Sequence, residues 1–325
     1  MKLSANAFNS MELRAWIDDN NEVDLLDLYD YFNDLLSLYV ENENGIPLKE
    51  QIREDWELFS NEDDAARILD DALILLSKSF NSNSKVIHIP ELLEPSDLWN
   101  TIKIELKTNR RFLAGNLIDE DDQWDRLFMT EIIQKGTKYY RGRVNEEKDK
   151  PYTSEEDLSA PPREKALPGR ANPYGIPYLY LTDSEATVIY ELRSLTGDQV
   201  SIGLFETTKD LNLVSFTYSP DSYSIFSGSV ETLNDALQKR LFLKAISTDM
   251  QKPVRRYDDE NLDYLPTQFV CEYIRLVVGA DGIVFPSSRL EGGTNIVLFD
   301  KNSASLKDSY QRTVGRVTIN LEEAS

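Results

Sequence analysis

Apolar residues recur at three- and four-residue spacing through the first third of the chain. Leu25, Leu28, Tyr29, Phe32, Leu35, Leu36 and Tyr39 share one helical face, and Asp24, Asp27, Asp30 and Asp34 fill the other. A second stripe, Leu48, Ile52, Trp56 and Phe59, predicts another helix. A third runs through Ala65, Ile68, Leu69, Ala72, Leu73 and Leu76, with Ser60 expected to cap it three residues before Asp63. Pro95-Ser96-Asp97 opens a further helix carrying Leu98, Trp99, Ile102 and Leu106. Residues 123–136 read as a last helix closed by Gly136. The pattern predicts a helical bundle over residues 1–135, whose plainest role is scaffolding or regulation.

The period changes near residue 137. Tyr139 to Arg143 reads as a short strand. Residues 144–169 are polar, proline-bearing and aperiodic, which reads as a lid, a binding loop or a disordered segment. Strand-like runs follow at Tyr178–Leu181, Val200–Phe205, Leu211–Phe216, Ile283–Phe285, Ile296–Phe299 and Val317–Leu321. Helical stretches lie around Val230–Ile246 and Thr267–Val277. The fold class expected is therefore α+β, with the bundle followed by a strand-rich domain over residues 136–325.

Composition narrows the chemistry. The chain has 325 residues, 41% of them hydrophobic and 10% aromatic, enough for a sizeable core. Its net charge of -22 argues against a general nucleic-acid binder and against docking on anionic membranes. A locally positive pocket for a small anion stays compatible with that charge. The single cysteine, Cys271, lies in an apolar run and reads as a core thiol. With only His88 beside it, zinc sites built on His and Cys are nearly excluded, and no metal is expected. No stretch is long enough to span a membrane, and a cytoplasmic location is the default.

Candidate chemistry concentrates between Gly169 and Glu191. Gly169, Pro173 and Gly175 shape a turn that holds Arg170 and Asn172, suited to aiming a guanidinium and backbone N–H groups at a phosphate. Tyr180 follows on a short aromatic strand. Thr182 and Glu185 then have capping-box spacing, and Glu191 comes two turns into the helix on an apolar stripe. A carboxylate there is either a structural ion pair or a group held in a cleft for a ribose hydroxyl. The two arginines of the preceding strand are read as pointing to opposite faces, so that one of them faces the pocket; Arg141 is expected to be that one, with Arg143 kept as a further substrate-binding candidate. Ser287 and Ser288, at the end of the strand after Asp281, either cap a turn or donate to a ligand oxygen. Asn295, at the turn back, joins the binding set.

Taken together, the segments YYRGR, GRANPYGIPYLYLTDSEATVIYE, YLPTQFVCEYIR and DGIVFPSSRLEGGTNIVLF resemble the RES-domain family, named for an Arg, a Glu and a Ser. The helical first part, including the DWELF element at Asp55–Phe59, resembles the HEPN-like domain that precedes some RES domains. The resemblance implies a fold similar to diphtheria-toxin-like ADP-ribosyltransferases and an NAD-consuming, toxin-like activity. NAD would be a substrate and no cofactor would be needed. It implies Arg141, Glu191 and Ser287 as the catalytic set, with Ser287 or Ser288 in the serine role. Arg170, Asn172, Tyr180, Arg143, Ser288 and Asn295 would bind the substrate. It also implies restraint by a cognate antitoxin or regulatory protein. Protein ADP-ribosylation and a non-catalytic interaction role are the alternatives, and a homo-oligomer through the N-terminal helices is left open.

Overall fold

A computed structural model describes residues 2–9, 22–112, 117–118, 124–147, 150–217, 225–227, 230–252 and 260–317. The chain divides into two compact units that interleave in sequence. One comprises Met1–Asp97 and Tyr218–Phe242, the other Leu98–Thr217 and Leu243–Ser325.

The first unit mixes helices and strands. Its elements in order are β1 (Lys2–Ser4), β2 (Glu22–Asp24), α1 (Tyr29–Leu36), β3 (Tyr39–Pro47), α2 (Leu48–Trp56), α3 (Glu62–Leu75) and β4 (Lys85–His88). β1 pairs with β2 and β3 with β4, both antiparallel. The helical bundle expected for residues 1–135 is thus corrected. The first stripe breaks into a 3-10 turn at Leu25–Leu28, then α1, and Tyr39 already belongs to a strand. β3 carries almost no apolar alternation, so only its pairing with β4 makes it a strand. The cap of α3 is Asn61, whose side chain accepts from the Asp64 N–H at 2.8 Å, and not Ser60. Leu28, Phe32, Leu48, Ile52, Ile68, Leu69 and Val86 form the core, joined by Ile225, Phe226, Leu233 and Leu237 from the returning segment. His88, the lone histidine, lies 2.8 Å from the buried Asp55, which also accepts from the Tyr39 hydroxyl at 2.9 Å. A histidine committed to an internal carboxylate is a structural one.

The second unit is built on a mixed eight-stranded sheet. In chain order its elements are α4 (from Glu94–Thr108), β5 (Thr130–Ile133), β6 (Lys138–Val144), α5 (Glu155–Leu158), β7 (Leu179–Thr182), α6 (Glu185–Glu191), β8 (Gln199–Thr207) and β9 (Leu211–Ser215). There follow α7 (Val230–Gln251, whose residues beyond Phe242 belong here), α8 (Glu260–Asp263), α9 (Leu265–Tyr273), β10 (Gly282–Pro286), β11 (Thr294–Leu298) and β12 (Ala304–Thr313). The strand order is β12-β8-β6-β7-β11-β10-β9-β5. β9 and β10 are parallel, and the other recorded pairs are antiparallel.

Several expectations are corrected here. The helix expected over residues 123–136 is a 3-10 turn at Trp124–Leu127 followed by β5, in which Thr130, Ile132 and Ile133 favour an extended chain. The part at residues 150–169 is not a detached lid, because Leu158, Ala160 and Ala166 are buried and two of them pack on one face of the sheet. α6 is capped by Ser184, which accepts from the Thr187 N–H at 3.2 Å, so the Thr182–Glu185 box does not form. Glu185 instead accepts from the Tyr310 hydroxyl at 2.8 Å and from Arg312 at 3.0 Å. β12 was not foreseen, and the strand expected at Val317–Leu321 lies outside the described residues beyond Val317, which is irregular. Cys271 is fully buried and burial pushes its thiol pKa up, as expected of a core residue. Among the described residues no helix is long and apolar enough to cross a membrane.

Two positions explain how the site opens. β6 and β7 are joined at a single recorded pair, Tyr140 with Thr182. By contrast β6 pairs with β8 along its whole length. Beyond the Tyr140–Thr182 pair the sheet parts, and a cleft forms at its middle. Gly142 lets α6 lie against β6 there, because a methyl group at that position would collide with Val188 and crowd Leu192.

Candidate active site

Arg141 sits at the parting of β6 and β7. Its Nη1 donates to the Tyr180 carbonyl at 2.8 Å, bridging the two strands with a side chain. Its Nε is buried and has no hydrogen-bond partner among the described residues. Burial, and secondarily Arg143, push the guanidinium pKa down to about 10. The group stays charged at neutral pH, and its enclosed N–H is a donor without an acceptor. Such a donor is costly unless something binds it.

Glu191 ends α6 and meets the strand ends from across the cleft. Its Oε1 accepts from the Ser287 hydroxyl at 2.7 Å and from Asn295 Nδ2 at 2.7 Å. Ser287 Oγ in turn accepts the N–H groups of Arg289 at 3.1 Å and Leu290 at 3.3 Å. Those two amides fill the acceptor side of the hydroxyl, so its proton goes to the carboxylate. Glu191 Oε2 lies 3.7 Å from Arg289 Nε, beyond hydrogen-bond length. One carboxylate oxygen is therefore fixed by two hydrogen bonds, while the other has only the longer ion pair with Arg289 and can still accept a hydrogen bond.

The Arg170 loop is held by a second set of bonds. The Tyr180 hydroxyl donates to Asn172 Oδ1 at 2.7 Å and accepts from the Ala171 N–H at 3.1 Å. Asn172 Nδ2 reaches the carbonyls of Leu167, Pro173 and Ile176 at 2.9–3.1 Å. At Gly169 a Cβ would stand 2.7 Å from the Tyr180 oxygen, which explains the glycine. From α9, Thr267 donates to the Arg170 carbonyl at 2.6 Å and Gln268 to the Gly169 carbonyl at 2.8 Å. The Arg170 guanidinium lies over the Tyr264 ring at 5.6 Å.

These elements enclose a cavity of about 300 Å³, at the small end of the range for ligand pockets. Arg141, Arg170, Tyr180, Glu191, Ser288 and Asn295 line it, with Leu181, Val188, Leu192, Met250 and Phe285 as apolar wall. The structure thus brings six of the nine expected site residues to one surface. Ser287 stands directly behind Glu191 and Asn172 behind Tyr180, each buried and holding its neighbour. Ser287 and Ser288 consequently divide the work: the first grips the carboxylate and the second lines the cavity. Arg143 is the exception. The opposite faces expected for the two arginines are corrected: two residues from Arg141, Arg143 leaves β6 on the same side, yet its guanidinium stacks 5.6 Å over Tyr152 and does not line the cavity.

Thr267, Gln268, Arg289 and Met250 went unassigned from sequence. The first three lie inside YLPTQFVCEYIR and DGIVFPSSRLEGG, so their segments were singled out though their roles were not. Met250 reaches the cavity from the last turn of α7, and nothing local in the sequence marks it. Among the described residues no cluster of His, Cys, Asp and Glu could hold a metal ion.

The arrangement offers two guanidinium groups for an anion, an aromatic wall and a carboxylate with one oxygen clear of hydrogen bonds. No curated protein sequence matches the chain at a significant level. The sequence profile described as RES domain matches residues 142–320, more than half of the chain and most of the strand-rich unit that carries the cavity, beginning one residue after Arg141. On that match the chain belongs to the RES-domain family.

Proposed function

We propose that the protein degrades NAD by cleaving the bond between nicotinamide and ribose. The observation that carries this reading is Glu191, held through one oxygen by Ser287 and Asn295 in the cavity that Arg141 and Arg170 line. The RES family is associated with NAD-related toxins, which supports the choice of substrate.

The chemistry follows from the charges. Nicotinamide leaves as a neutral molecule, so departure needs no general acid, and none of the lining residues is a histidine. The ribose carbon becomes oxocarbenium-like, as in glycoside cleavage. Arg141 and Arg170 would bind the pyrophosphate and fix the reacting geometry. The free oxygen of Glu191 would accept a ribose hydroxyl, and its negative charge would stabilise the developing cation. The Tyr180 ring would flank the nicotinamide end. The apolar wall of Leu181, Val188 and Phe285 would limit water around these charges and strengthen them.

The test is nicotinamide release from NAD by purified protein. Glu191→Gln keeps the size and a hydrogen-bonding oxygen but removes the charge. It is expected to lower the rate by about 10²–10³, the cost of one transition-state electrostatic contact. Equal rates for both proteins would refute the reading. Attack by water, phosphate or a protein side chain would follow the same cleavage. Adenine-labelled NAD tells them apart: transfer leaves label on protein, attack by water leaves it in ADP-ribose, and attack by phosphate leaves it in ADP-ribose 1″-phosphate.

A further inference from the structure

Arg170 lines a second, smaller cavity of about 30 Å³ in the same unit. Its other charged lining residues are Lys103 and Lys107 from α4, Asp249 from the end of α7, Lys252 just after it, and Asp263 from α8. Two of the lysines are internally neutralised: Lys103 meets Asp249 at 2.7 Å and Lys107 meets Asp263 at 2.7 Å. That leaves Arg170 and Lys252, whose side chains have no ion pair among the described residues. The lining therefore carries two unbalanced positive charges on a chain whose net charge is -22. Like charges facing one small space repel each other, and an anion between them removes that cost. About 10–15 Å³ of such space holds one water molecule, so this pocket has room for a group about the size of a phosphate.

We infer that this pocket binds a phosphate monoester on the adenosine half of the dinucleotide, making the enzyme selective for NADP over NAD. The inference rests on the reading of the larger cavity. There Glu191 marks the nicotinamide ribose and Arg170 the pyrophosphate, so the group on the far side of Arg170 is the adenosine ribose. A 2′-phosphate there meets Lys252 and the outer face of Arg170. The Tyr264 ring, which lines the same pocket beneath Arg170, supplies a flat surface beside it.

The experiment compares kcat/KM for NADP and NAD in the full-length protein and in Lys252→Ala, Lys252→Glu and Lys301→Ala. Lys301 is an exposed cation outside both cavities and serves as the control. The NADP-to-NAD ratio is expected to fall about tenfold in Lys252→Ala, as for one charge-assisted hydrogen bond. It falls further in Lys252→Glu and holds in Lys301→Ala. A ratio unchanged in both Lys252 variants overturns the inference while leaving NAD cleavage standing. If neither nucleotide is cleaved, the reading of the larger cavity fails, and calorimetry judges the pocket alone. Adenosine 2′-monophosphate binding more tightly than adenosine, with the difference lost in Lys252→Glu, supports it; equal binding overturns it. Inorganic phosphate that displaces adenosine 2′-monophosphate, with NADP no better than NAD, overturns the ester in favour of the free anion.

Discussion

At the scale of the residue, the site works by dividing labour between the two oxygens of Glu191. Ser287 and Asn295 both donate to Oε1, and Oε2, with only the 3.7 Å ion pair to Arg289, is the oxygen proposed to meet the ligand. Ser287 is thus a positioning residue. Ser287→Ala is expected to lower kcat by roughly ten- to a hundredfold, the cost of one hydrogen bond to a charged group. KM for the nucleotide is expected to change little, because Arg141 and Arg170, proposed to bind the phosphates, are untouched. The double variant with Asn295→Ala is expected to lose less than the product of the single losses, since both act on one oxygen. Steady-state kinetics on the three proteins checks this, and a purely additive loss would show two independent roles. Much of this was legible in sequence. Arginine, glutamate and serine stand out where chemistry-bearing residues sit beside glycine turns. The roles of Ser287 and Ser288 were not, because adjacent residues at a strand end differ only in which way the turn points them. Arg143 misled for a related reason: strand position gives the face, and only the neighbouring Tyr152 decides where the guanidinium goes.

At the scale of the element, the Arg170 loop is a rigid part built from polar bonds. The Tyr180 hydroxyl serves two loop residues at once, Asn172 and Ala171. Tyr180→Phe keeps the ring and leaves those partners unsatisfied, which is expected to cost about 1–3 kcal/mol of stability. In kinetics the loss is expected chiefly as a raised KM, because Arg170 is then held less firmly, by the bonds from Thr267, Gln268 and Asn172 alone. Thermal melting and nucleotide titration measure the two effects separately. Gly142→Ala makes the complementary case on the other side of the cleft. Forcing Val188 and α6 away from β6 is expected to cost about 1–3 kcal/mol by overpacking and to displace Glu191 with the helix. Most strands of the second unit were readable from short apolar runs bounded by turn residues. β5 and β12 were not. β5 follows a 3-10 turn closely enough for the two to mimic one helical stripe. β12 has so many charged and polar positions that only its long pairing with β8 reveals it. β3 escaped for the same reason in the first unit.

At the scale of the whole molecule, the excess of acidic groups acts on every part of the chain. A net charge of -22 opposes compaction through self-repulsion, and dissolved salt screens it. The midpoint of thermal unfolding is expected to rise as sodium chloride goes from low to moderate concentration. A falling midpoint in calorimetry would mean that attractive pairs such as Lys209–Asp281 and Arg312–Glu185 outweigh the repulsion. The linear division at residue 135 was drawn from a change of period, and a period cannot show that residues 218–242 return to the first unit. Long-range chain return leaves no local mark. The seam in the large sheet has a last consequence. Where a closed sheet would use a neighbouring main-chain N–H, the Tyr180 carbonyl is served by the tip of a flexible side chain. A ligand that draws Arg141 toward itself can therefore take over that proton donor without unzipping any strand. The same guanidinium would then serve the scaffold and the proposed substrate by turns, its Nη1 engaged and its Nε vacant until an anion arrives.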